Sequence, residues 1–206
     1  KRAIELKPKS SEALMNLGVI YKDLGNLDEA LVVTLKSLEI KTDSYEAWAN
    51  LGTIHKNKGN MEKALMAINR SLDIKGNNQS ALINMGAIYY EKREFEKSIT
   101  QFLKALEIKR TSLVTLNLSK AYLEIGEKEE ALRYALEAFK KDNKNEKCIA
   151  NLSNQYAENG QSHKAIEIVI QAIKENEMSE KLYITASNLL CKEKLYQSAR
   201  EILESG

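Results

Sequence analysis

Proline occurs once in this 206-residue chain, cysteine twice, histidine twice and tryptophan once. Two cysteines cannot build a disulfide scaffold. They fall about nine residues apart in the repeat register described below, or ~13 Å along a helix axis, so Cys148 and Cys191 are expected to be free thiols. The chain also lacks any apolar run near the roughly 20 residues that cross a bilayer, which leaves no membrane partner in view. Dominance of one charge sign is missing as well. A formal charge of +2 with 29% charged residues describes a mixed, solvated surface. Clustered Lys and Arg would mark a nucleic-acid footprint, and here Lys far outnumbers Arg, so no nucleic-acid partner is expected.

The motifs of catalysis are absent too. There is no His-x-x-x-His, paired-cysteine, P-loop or Gly-x-Ser-x-Gly pattern. His55 stands in a slot that other segments give to Tyr, which marks it as a packing substitute, and His163 opens an exposed helix. Glu127, Glu129 and Glu130 fall at a helix start, where acids complement the helix dipole. No catalytic residue, metal site or cofactor is expected.

What the chain does have is a period. Ala30, Ala64, Ser98, Ala131, Ala165 and Ala199 recur at spacings of 34, 34, 33, 34 and 34 residues. Gly18, Gly52 and Gly86 keep the same step, followed by Ser119, Ser153 and Ser187. A second glycine series runs Gly25, Gly59, Gly126 and Gly160, with Arg93 on the missing rung. Apolar residues within each segment follow helical spacing, as in Leu14, Leu17, Ile20 and Tyr21, then Leu27, Ala30, Leu31 and Leu38. Each segment therefore reads as a helical hairpin, broken where glycine supplies the left-handed conformation that ends a helix. Polar turns such as Thr42-Asp43-Ser44 and Gly76-Asn77-Asn78 separate the hairpins. The mid-helix glycines cost about 1 kcal/mol each against Ala, which makes sense where a partner helix crosses closely; the recurring alanines are expected to face them.

These residues resemble the tetratricopeptide repeat, whose pattern places an aromatic or Leu before Leu-Gly and Tyr, then Ala, an aromatic, Ala and Pro. The second segment reads Trp48, Leu51, Gly52, His55, Ala64, Ile68, Ser71, and the third Leu82, Met85, Gly86, Tyr89, Ser98, Phe102, Ala105. The resemblance covers the whole chain and extends to bacterial arrays of this family. It implies an all-α right-handed superhelix, a single solenoid with repeats near 11–44, 45–78, 79–111, 112–145 and 146–179. Partial repeats are expected at 1–10 and 180–206. Ala3, Ile4, Leu6 and Pro8 then read as the tail of a second helix, and the piece as part of a longer array with fraying over Lys1–Leu6 and after Ala199.

Five successive segments carry an asparagine at one position: Asn16, Asn50, Asn84, Asn117 and Asn151, with Thr185 in the sixth. In the family this position lines the inner face. A carboxamide offers an acceptor and two donors that match a peptide group, so a ladder of them can hold an extended backbone without reading its side chains. The resemblance is to the superhelical repeats of O-linked N-acetylglucosamine transferase, where inward asparagines bind peptide backbone. Flanking positions are small or apolar early, as at Met15, Val19, Ala49 and Thr53, and turn polar later at Lys120, Lys147, Asn154 and Lys181, which suits an apolar ligand segment followed by an acidic one. A carboxylate clamp of the kind found in chaperone cofactors matches only in part. Lys120, Asn151 and Lys181 are in place, but the arginine fork that grips a carboxylate is missing.

The expected function is a scaffold that binds a protein or peptide through Asn16, Asn50, Asn84, Asn117, Asn151, Lys120 and Lys181. The alternative is the substrate-recruiting region of a larger bacterial glycosyltransferase or sulfotransferase. Self-association through open repeat ends is a third possibility.

Overall fold

Ser10, Ser44, Asn78, Thr111, Asn145 and Ser179 each stand just before a helix in extended or near-extended backbone, and each side chain accepts a backbone N–H from the first turn. Such caps satisfy one of the amides that a helix start leaves unpaired. The polar turns between repeats are therefore helix-start signals. The computed structural model describes residues 10–175 and 179–205, and those residues form twelve helices with no strand. The chain divides into two units, residues 1–109 and 110–206.

The first unit holds α1 (Ser11–Asp23), α2 (Leu27–Ile40), α3 (Tyr45–Asn57), α4 (Met61–Ile74), α5 (Gln79–Glu91) and α6 (Phe95–Ile108). The second holds α7 (Ser112–Glu124), α8 (Lys128–Lys141), α9 (Glu146–Glu158), α10 (Ser162–Glu175), α11 (Glu180–Lys192) and α12 (Tyr196–Ser205). Odd-numbered helices open each hairpin and even-numbered helices close it. The fold class expected from the sequence, all-α stacked hairpins, is the one found. The expected tail at Ala3, Ile4, Leu6 and Pro8 lies outside the described residues, and α12 continues past Ala199 to Ser205.

The turns inside the hairpins share one geometry. Gly25, Gly59, Gly126 and Gly160 have φ between 72° and 83°, and the residue after each returns an N–H to a carbonyl of the preceding helix, as Asn26 does to Tyr21 at 2.9 Å. Arg93 and Lys194 occupy the same position at φ 62°, so the register is kept even where a side chain must enter the left-handed region.

The close helix crossing differs in detail from the expectation. A Cβ on Gly52 would come within 2.5 Å of Ile68 Cγ1, and one on Gly86 within 2.5 Å of Phe102 Cε1. On Gly18 it would collide with Thr34 Oγ1. The recurring alanines supply a backbone carbonyl, 3.2 Å away at Ala64, while the space is filled by the side chain one turn further on. In the second unit the small residue becomes the buried Ser119 and Ser153, and the filling position holds Ala135 and Val169, both fully buried and smaller than the Ile68 and Phe102 opposite Gly52 and Gly86. Volume is thus exchanged across the crossing, which a density close to that of an organic crystal demands.

Among the described residues of each unit, the backbones of successive first helices approach within 8 Å between Cα atoms, and those of successive second helices do not. The first-helix face is therefore the tighter side of each stack, and it carries the asparagines.

Candidate functional site: the first-helix faces

The asparagines do not share one environment. Asn16 is exposed, Asn50, Asn84 and Asn117 are half-buried, and Asn151 is buried at 7% exposure. Asn84 Nδ2 on α5 donates to Thr53 Oγ1 on α3 at 2.8 Å, and Asn151 Nδ2 on α9 donates to Ser119 Oγ on α7 at 2.8 Å. Thr53 Oγ1 in turn donates to Ala49 O at 3.1 Å. Two amides therefore tie neighbouring first helices together. A bond of this kind uses one donor of the amide and fixes its rotation, leaving the other N–H and the carbonyl oxygen to be satisfied elsewhere.

Asn50 is placed differently. It lines a 410 Å³ cavity at the junction of α3 and α5, with Glu46, Ala49, Lys75 and Ser80 around it. Lys75 is held in place, since its Nζ donates to the Tyr45 hydroxyl at 2.9 Å and lies 4.2 Å from that ring's centroid. The cavity thus offers an amide, a carboxylate and an ammonium within one recess. Of the flanking positions expected to be apolar and open, Ala49 is buried, and Met15 packs against the cluster of Leu38, Ala47, Leu51 and Ala67. Packing between repeats claims part of what looked like ligand surface.

In the second unit Lys120, Lys147 and Lys181 are exposed on α7, α9 and α11. Crowding of the Lys120 ammonium by surrounding protein, reinforced by the charge of Lys147, pushes it below the usual lysine range. Of the partial clamp's residues, Asn151 has one amide N–H engaged by Ser119, and beside Lys181 the Thr185 hydroxyl donates to Lys181 O of its own helix at 2.8 Å. Cys148 is buried, which raises its thiol pKa, and Cys191 is exposed; both are free. Among the described residues no group of three or more His, Cys, Asp or Glu could hold a metal ion, and no helix is long and apolar enough to cross a membrane.

Capped first helices, left-handed intra-hairpin turns and close small-residue crossings at a 34-residue step define an all-α solenoid repeat protein. The chain is built of tetratricopeptide repeats: family profiles for that repeat match residues 1–32, 45–78 and 79–112. Solved structures agree on the fold. The chain is similar to PilF of Pseudomonas aeruginosa at TM-score 0.81 and 19% identity, covering 95% of this chain and 89% of that one. It is similar to PilW, a type IV pilus biogenesis factor, at TM-score 0.84 and 17% identity, covering 93% and 90%. It is also similar to YrrB, described as a tetratricopeptide repeat protein with an unusual peptide-binding site, at TM-score 0.63 and 18% identity, covering 88% and 94%. No curated protein sequence matches the chain.

Proposed function

We propose that this protein is a binding scaffold without chemistry of its own, and that the first-helix face of each unit holds an extended stretch of a partner polypeptide. The observation that carries the reading is the recess at Asn50, with Asn84 held by Thr53 one repeat away. Neighbouring first helices pack roughly 8–10 Å apart and an extended chain advances about 3.3–3.6 Å per residue, so successive asparagines meet every third ligand residue. Within the first unit, Asn16, Asn50 and Asn84 then follow about six residues of ligand backbone. In the second unit Asn117 takes the same role, Asn151 orders the helices beside it, and Lys120 and Lys181 favour an acidic stretch. The described peptide-binding site of the similar YrrB fold supports a polypeptide ligand.

A peptide array probed with the wild-type chain and with the Asn50→Ala/Asn84→Ala variant tests this. Each net hydrogen bond contributes about 0.5–1.5 kcal/mol, so the variant should lose roughly tenfold or more in affinity for its best peptides. Undiminished capture by a variant whose circular dichroism shows it folded would sink the proposal.

A further inference from the structure

The opposite face of the second repeat carries a feature that the asparagines do not explain. Trp48, Leu51 and His55 recur at helical spacing along α3, on the side away from Asn50, and form the floor of a 690 Å³ cavity. Its wall comes from α4, through Met66 and Ala67. Ligand sites typically enclose about 300–1,000 Å³ and are mostly apolar with a few polar groups, which is the composition here.

Three observations say what fits. Met66 is 72% exposed, an adaptable apolar side chain held in water beside an apolar recess. His55 Nδ1 is buried with no hydrogen-bond partner, so the floor has unspent polar capacity. Burial, together with Lys63 and Lys58, holds the imidazole below its ordinary pKa. The rim is cationic: among the described residues Lys63 and Arg70 on α4 make no ion pair, and Asp73 is the single acid lining the cavity. Lys58 is already taken by Asp28 of α2. The corresponding cavity of the next repeat, 510 Å³, shares Asn69 with this one and has its own apolar groups in Leu82, Met85 and Ile108, but Asn77 and Gln101 line it as well and Glu107 offsets its one cation, Lys104. What sets the second repeat's cavity apart is the exposed Met66 on its wall and two rim cations against one acid.

We infer that this cavity is a second docking site, one that takes a large apolar side chain of a partner polypeptide with an acidic residue next to it. Its open mouth favours a side chain presented by a chain over a small molecule, which a more enclosed pocket would surround. The apolar group fills the recess over Trp48, and the carboxylate meets Lys63 and Arg70. Because the asparagines lie on the other face of α3, the two sites operate independently.

Trp48 is the chain's one tryptophan, so its indole N–H gives a single NMR signal inside the proposed site. The probes are 3-phenylpropanoate, its neutral amide, and an acidic hexapeptide containing one Phe. The acid should shift the indole signal saturably and bind several-fold more tightly than the amide, and the hexapeptide should bind at least tenfold more tightly than the acid. Met66→Glu, at an exposed position that folding tolerates, should remove the response, and Lys63→Ala/Arg70→Ala should erase the preference for the acid. The Asn50→Ala/Asn84→Ala variant should leave all three affinities unchanged. No saturable shift, equal binding of amide and acid, or a full response in Met66→Glu would each overturn the inference, and a hexapeptide no tighter than the free acid would overturn the polypeptide as occupant.

Discussion

Asn151 on α9 donates its amide N–H to Ser119 Oγ on α7 at 2.8 Å, across two first helices and within a buried interface. In the first unit, Asn84 makes the matching bond to Thr53. The position that reads as ligand-facing along the sequence thus also staples the stack together.

Removing that staple should be costly where it is buried. Asn151→Ala leaves Ser119 Oγ without its donor in a buried interface, so a loss of about 1–2 kcal/mol is expected. Asn16→Ala, at an exposed site, should change stability by less than about 0.5 kcal/mol. Urea denaturation of the two variants checks the contrast.

Gly86→Ala places a methyl within 2.5 Å of the Phe102 ring. Overpacking costs about 1–3 kcal/mol, while helix propensity returns about 1 kcal/mol, so the balance should be a net loss. Pairing it with Phe102→Leu, in the manner of the smaller fillers at Ala135 and Val169, should cost less than the sum of the single changes. A double-mutant cycle in thermal or urea unfolding reads the coupling directly.

Lys194→Gly should stabilise the second unit by about 0.5–1 kcal/mol. Lys194 holds φ 62°, where a Cβ is strained and glycine is not, and this relief outweighs the entropy glycine adds to the unfolded chain. A rise in the unfolding midpoint of the lysine-to-glycine variant is the expected readout.

His55 should make stability depend on pH in a defined window. Its pKa is lowered from 6.5 by burial first, then by Lys63 and Lys58, so the folded state prefers the neutral ring. The unfolded chain takes up its proton at higher pH than the folded one does. The contribution is therefore complete above about pH 6.5 and is lost as pH falls from there through the folded pKa. His55→Tyr, the residue found in this slot at Tyr89 and Tyr122, should flatten the slope of unfolding free energy between about pH 5 and 7.

Much of the fold was legible because repetition multiplies weak signals. One mid-helix glycine says little, whereas Gly18, Gly52 and Gly86 in step with Ala30, Ala64 and Ser98 specify a hairpin crossing. The rung at Arg93 could be placed by register alone, against its own residue type. The filling role was missed because Ile68 and Phe102 read only as the repeat's aromatic position, and Thr34 as an ordinary helix-face residue, until the glycines opposite are seen to make room for them. Compensation between Gly with Phe102 and Ser119 with Ala135 was a signal open to a reader who compared both positions together.

The site was less legible. Asn16, Asn50, Asn84, Asn117 and Asn151 share a sequence position, yet the cavity at Asn50 and the bonds of Asn84 and Asn151 depend on whether Thr53 or Ser119 stands one repeat earlier on the adjacent helix. His55 read as a packing substitute, and its unpartnered nitrogen over an apolar recess became visible only with α4 in place.

Local chemistry along the chain determined the helices, their caps, their left-handed turns and their period, because each depends on residues within a few positions of one another. Tertiary structure alone decided which identical amides face a cavity and which are spent between layers. That outcome turns on side-chain volume and hydrogen-bond partners brought together from about 30 residues away, where no local pattern reports the match.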